Sequence, residues 1–217
     1  MAVRDPKFTI EFEFRNTRFL SALQGMQHIG KKIEGGFARA ATALSADMRG
    51  YLDAVALALA KRHSTPWPNG TTDKTLSMRS GNLIRAIKSS VAVKGTTVAN
   101  LEGTIGAKVP YAAIQEFGGV IKPKTAKYLA IPLKAALDER GIPKKRSPRE
   151  WEHTFVAMSK NGNLIIFQRR GTQIIPLYVL KSSVTIPARL GMRETIQSNM
   201  GFFVDRAMAS MLKELRK

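Results

Sequence analysis

Apolar and polar residues alternate near the start of the chain, with Phe8, Ile10, Phe12 and Phe14 interleaved by Thr9, Glu11, Glu13 and Arg15. A period of two predicts a strand with one buried face. From Phe19 the period changes: Phe19, Leu23, Met26, Ile33, Phe37, Leu44, Met48, Tyr51, Val55 and Leu59 fall at helical spacing. Gly25, Gly30, Gly35 and Gly36 each cost about 1 kcal/mol against alanine in a helix interior. The spacing therefore predicts a firm helix over residues 37–62 and a break at Gly35-Gly36. Residues 63–80 contain Pro66, Pro68, Asn69-Gly70 and several threonines without periodicity, a long loop. Trp67, between two prolines, is either an anchor onto the body or an exposed interaction residue, the anchor being preferred.

Further along, Ser80 suits the cap of a short helix ending near Ser89, and residues 91–93 with 98–105 suggest a hairpin around Gly95. Residues 111–117 make one or two helical turns stopped by Gly118-Gly119, followed by an extended stretch at 128–131. Residues 140–149 carry five basic side chains, two prolines and no acid, an exposed loop. Residues 155–158 and 164–167 flank Asn161-Gly162-Asn163, a hairpin signature. Extended chain follows at 174–180 and 184–186. From Gly191 helical spacing returns through Ile196, Met200, Phe203, Val204, Met208 and Met211.

Composition narrows the possibilities. The 217 residues, 44% hydrophobic, suffice for a folded core. With 35 Lys and Arg against 16 Asp and Glu, the net charge is +19. Solubility needs a charge magnitude of only about 2 to 8, so an anionic partner is expected, nucleic acid first. There is no cysteine, which removes disulfides, thiolate metal sites and a cysteine nucleophile. No apolar leader and no membrane-length apolar run is present, so we expect production in a cytoplasm-like compartment and no membrane partner.

Signatures of chemistry are weak. Residues 25–32, GMQHIGKK, approach a phosphate-binding loop, but Lys32 stands where the magnesium-binding hydroxyl belongs and the preceding residues read as helix, not strand. His28, His63 and His153 lie far apart without zinc-site spacing. Folding could bring His153 near a serine, yet no nucleophile-elbow signature accompanies it. Glu116 has no second carboxylate beside it, and Glu11 with Glu13 and Asp138 with Glu139 read as solvated faces. We therefore expect no catalytic centre, no metal, no cofactor and no small-molecule substrate. A hydrolase or nuclease ranks third among the readings. A free, sequence-independent nucleic-acid-binding protein is the rival from another class, although no aromatic-basic motif, zinc finger or helix-turn-helix supports it.

The most informative segments are VPYAAIQEFGG at residues 109–119, AKYLAIPL at 126–133 and IPAR at 186–189, supported upstream by RSGNLIRAI at 79–87. In order and spacing these resemble the virion-morphogenesis, or tail-completion, proteins of tailed bacteriophages. After IPAR, Leu190-Gly191-Met192 stands where that family would have a proline and an aromatic. The resemblance implies a mixed α+β domain. It also implies a virion part of the tail or neck, acting in several copies beside other neck or tail proteins and enabling a tail to join a DNA-filled head.

Taken with the elements above, we expect one α+β domain over residues 1–217. A mostly antiparallel sheet would be packed by a long N-terminal helix and a C-terminal helix, with residues 137–178 as a hairpin-bearing elaboration. The motif residues with packing or interface roles would be Tyr111, Ile114, Glu116, Phe117, Gly118, Gly119, Leu129, Pro132, Pro187 and Arg189. On the short helix, Tyr111, Ile114 and Phe117 would anchor in the core, with Gln115 and Glu116 facing outward or towards a neighbouring subunit. Lys144, Lys145, Arg146 and Arg149 would meet DNA or an acidic neighbour, in a ring or collar whose protomers meet through apolar edges.

Overall fold

The helical spacing of the first third becomes α1, Gln27–Arg62, whose buried positions Ala40, Leu44, Met48, Leu52, Val55 and Leu59 form one continuous stripe. The computed structural model describes residues 10–11 and 27–216, with side chains from residue 34 onward in α1. Helices and antiparallel sheets make the class α+β. The chain divides into two compact units. One comprises Met1–Lys61, Asn82–Ala113 and Gly191–Lys217, and the other Arg62–Gly81 with Ile114–Leu190.

In the first unit α1 runs unbroken through Gly35-Gly36, contrary to the expected break. Packing overrides propensity here. Gly36 is buried, and a Cβ on it would make ordinary contact, 3.6 Å, with Leu215 of the C-terminal helix. That helix, Met192–Leu215, lies antiparallel to α1. Arg39 reaches the Glu214 carbonyl at 3.4 Å, Arg206 Nε donates to Asp47 Oδ1 at 2.9 Å, and Tyr51 stacks on Phe203 at 4.8 Å. The Tyr51 hydroxyl donates to the Ile196 carbonyl at 2.5 Å, and burial pushes that phenol's pKa up. The C-terminal helix buries Met192, Ile196, Phe203, Ala207 and Met211. Val204 and Met208, although at apolar spacing, are exposed.

A second helix, α2 (Asn82–Ser90), starts after the left-handed Gly81. The expected hairpin around Gly95 forms from β2 (Ala92–Lys94) and β3 (Glu102–Thr104). Its turn is held by Asn100 Oδ1, which accepts from the Thr96 and Thr97 amides at 2.9 and 2.8 Å. β1 (Ile10–Glu11) pairs along the other side of β3. The remainder of the alternating segment, Phe8, Phe12 and Phe14, lies outside the described residues. Gly103 is where α1 meets this sheet: a Cβ there would stand 2.7 Å from Met48 Sδ. The absent side chain admits the helix.

The short helix α3, Ala112–Phe117, leads from the first unit into the second. There β4 (Gly119–Ile121) pairs antiparallel with β9 (Val184–Ile186). A separate four-stranded antiparallel sheet has the order β5-β8-β7-β6, from Leu129–Pro132, Gln173–Lys181, Leu164–Arg170 and Thr154–Met158. The Asn161-Gly162-Asn163 turn joins β6 to β7, with Gly162 left-handed at φ 72°. Register puts Val156, Ile166, Tyr178 and Pro132 in one row on one face, and Ala157, Ile165, Val179 and Ile131 in the next row on the other. The first face packs its core, Tyr178 and Leu177 against Ala136, with Trp151 over it. The Trp151 indole donates to the Tyr178 hydroxyl at 3.0 Å.

Residues 63–80 form the expected long loop. Trp67 is its anchor: Arg79 lies over the ring at 5.6 Å and donates to the Gly141 carbonyl at 2.6 Å. Gly141, at φ 75°, has no room for a side chain, since a Cβ would be 2.6 Å from the Trp67 ring.

Candidate functional site

Two of the quoted motifs, some seventy residues apart in sequence, meet in the second unit. The Gln115 carbonyl, near the end of α3, accepts from the Arg189 amide at 2.7 Å and the Leu190 amide at 2.8 Å. Gly118 closes the helix, its amide donating to the Ile114 carbonyl at 2.9 Å in the left-handed conformation, φ 69°. A Cβ on it would come within 3.0 Å of the Ala188 amide and 3.1 Å of the Ile186 carbonyl oxygen. Glycine is thus required twice here, for the turn and for the approach of the IPAR backbone. Gly119, at φ 149°, completes the reversal and sits opposite Ile186 in the β4–β9 ladder.

The anchoring residues differ from expectation. Tyr111 is 42% exposed and Phe117 51% exposed, while Ala112 is the buried position of α3 and the Gln115 side-chain oxygen is buried. In this six-residue helix Ala112 alone is fully buried, and of the expected 111/114/117 stripe only Ile114 is even half-buried, as Gln115 is too. Ile114 and Glu116 are half-buried. Phe117, Val120 and Ile121 form an exposed apolar run at the corner, with Pro187 also exposed. Gln115 Oε1 and Arg189 Nε are buried without a hydrogen-bond partner, groups that cost about 1–3 kcal/mol each when left so. Leu129 and Pro132 stand apart from this corner, half-buried in β5 of the four-stranded sheet.

The basic loop is built from both ends. Asp138 Oδ1 accepts from the Arg140 and Ile142 amides at 2.9 and 2.7 Å, and the Lys144 amide donates to the Ala136 carbonyl at 3.0 Å. Ser147 caps a 3-10 turn, Pro148–Glu150, immediately before the Trp151 anchor. Lys144, Lys145, Arg146 and Arg149 are all exposed between these fixed points. An open cleft of about 640 Å³ beside them is lined by Leu137, Asp138, Glu139, Arg140 and Lys144. The second unit carries 17 Lys and Arg against 6 Asp and Glu, a net +11 in fewer than half the residues.

Among the described residues no cluster of three or more His, Cys, Asp or Glu could hold a metal ion, and no helix is long and apolar enough to cross a membrane. Residues 27–32 of the glycine-rich stretch lie inside α1. His153 is exposed with φ 54°, and the side chain of His28 lies outside the description.

His63 is the buried titratable group that sequence reasoning undervalued. Its Nδ1 accepts from the Leu76 amide at 3.1 Å, so the neutral ring carries its proton on Nε2 and donates to the Leu190 carbonyl at 3.0 Å. Burial lowers its pKa below the usual histidine value, with the Arg62 charge adding to the fall and the Leu190 hydrogen bond opposing it. As pH drops, the unfolded chain takes this proton before the folded one. Stability is therefore full above about pH 6.5 and is lost as pH falls below it. Urea titrations at pH 8 and pH 5 should show that loss in the wild type and a smaller one in His63→Gln. Equal losses would assign the acid sensitivity elsewhere.

Comparison of the chain with protein-family models, with curated proteins and with solved structures finds no match.

Proposed function

We propose that this chain is a structural virion protein of a tailed phage, completing the head-proximal end of the tail or the neck and enabling heads and tails to join. The observation that carries the reading is the corner where EFGG and IPAR meet. Segments singled out by resemblance alone share one hydrogen-bonded turn, with Gly118 admitting the IPAR backbone. Exposed Phe117, Val120 and Ile121 suit a surface completed by a neighbouring subunit. In this role the protein acts by contact rather than by turnover, in several copies, with the basic loop directed at DNA or at an acidic neighbour.

A second reading, sequence-independent nucleic-acid binding, is favoured by the +11 charge of the second unit. Deletion of the gene from the phage that encodes it separates the two. The structural role requires filled heads and tails that fail to join, or tails with a faulty end. The binding role leaves particles that assemble normally.

A further inference from the structure

We infer that the face of the four-stranded sheet opposite Tyr178 is a platform for single-stranded nucleic acid, built on Phe155 and Phe167. The inference does not depend on the virion role. Register pairs Phe155 of edge strand β6 directly with Phe167 of β7, and the rings lie 5.7 Å apart at 22°. At that spacing rings in van der Waals contact are offset sideways, so neither ring covers the other, although Arg169 lies over one face of Phe155 and would share it with a stacked base. Both residues are only partly buried, as are Ile165 and Val179 behind them, and Ile174 at the margin is 55% exposed.

Charge is placed at the two ends of this apolar strip. Arg169 stands two residues beyond Phe167 on the same face, its guanidinium 5.8 Å above the Phe155 ring. At the opposite end Lys181 extends from β8, held by the neutral side chain of Asn163 at 2.6 Å. The four strands carry no Asp or Glu on either face. A nucleic-acid strand satisfies all three features at once. Its bases stack on aromatic rings and cover aliphatic surface, and its phosphates meet cations at either end. Duplex DNA hides its base faces and cannot use the rings. A second copy of this chain would bring the same cations to the same rim, and we rank it below nucleic acid for that reason.

Fluorescence anisotropy with a labelled twelve-nucleotide oligo-dT and a twelve-base-pair duplex, at fixed moderate salt, tests the proposal on the full chain. We expect oligo-dT to bind at least about tenfold tighter than the duplex. Phe155→Ala with Phe167→Ala should weaken oligo-dT binding by about 10- to 100-fold, the loss typical of one stacked base, and change duplex binding little. Phe155→Leu with Phe167→Leu keeps most of the apolar volume and guards against a folding defect. It should also lose most of the oligo-dT preference while its thermal unfolding stays near wild type. Equal affinity for both probes, or leucine variants that bind oligo-dT as the wild type does, would overturn the platform. Concentration-dependent self-association abolished by the leucine variants would overturn it in favour of a second copy.

Discussion

Gly118→Val should lower the stability of the second unit by about 3–4 kcal/mol. A β-branched side chain in the left-handed conformation costs on the order of 1–3 kcal/mol. The new methyls add overpacking of about 1–3 kcal/mol, because Cβ alone would already press on the Ala188 amide and the Ile186 carbonyl. Backbone atoms cannot move aside as a flexible side chain can. Gly162→Val is the matched control: it is left-handed too, at φ 72°, but a Cβ there meets nothing within 4 Å, so only the conformational cost applies. Both tryptophans, Trp67 and Trp151, lie in this unit, so their fluorescence in urea reports its unfolding. A Gly118→Val variant no less stable than Gly162→Val would mean that IPAR does not pack where the corner requires.

The second large effect concerns the loop. If it lies along DNA phosphates, each cation displaces condensed counterions, contributing about 0.9 to the logarithmic salt slope on duplex DNA. Replacing Lys144, Lys145, Arg146 and Arg149 by alanine should flatten that slope by up to about 3.6. Fold stability should hardly move, since exposed substitutions typically shift it by under about 0.5 kcal/mol each, and the caps at Asp138, Ser147 and Trp151 remain. If the loop grips an acidic protein neighbour instead, the same variant keeps its DNA binding and fails in assembly. An unchanged slope with unchanged assembly would reduce the loop to a solvated surface.

Local chemistry was readable from the chain wherever it decided the outcome. Asn161-Gly162-Asn163 fixed a hairpin because a left-handed glycine suits that turn, and Gly118-Gly119 ended α3 for the same reason. Tertiary packing was not readable. Gly35-Gly36 would break an isolated helix, yet α1 continues because Gly36 is buried against Leu215. The 111/114/117 stripe looked like a core face, but in six residues Ala112 is the buried position and IPAR meets the helix through the Gln115 backbone carbonyl, which no side-chain pattern reports. Phe155 and Phe167 are twelve residues apart and became neighbours only through strand register. Counting outward from the Asn-Gly turn could have found them. No comparable signal marked His63, whose two partners are backbone groups 13 and 127 residues away.

Electron microscopy of a deletion lysate reads the proposed head–tail joining role most directly. Without the gene we expect DNA-filled heads and separate tails, or tails of aberrant end structure, with joined particles restored when the wild-type chain is supplied in trans. Normal joined and infectious particles from the deletion strain would contradict it.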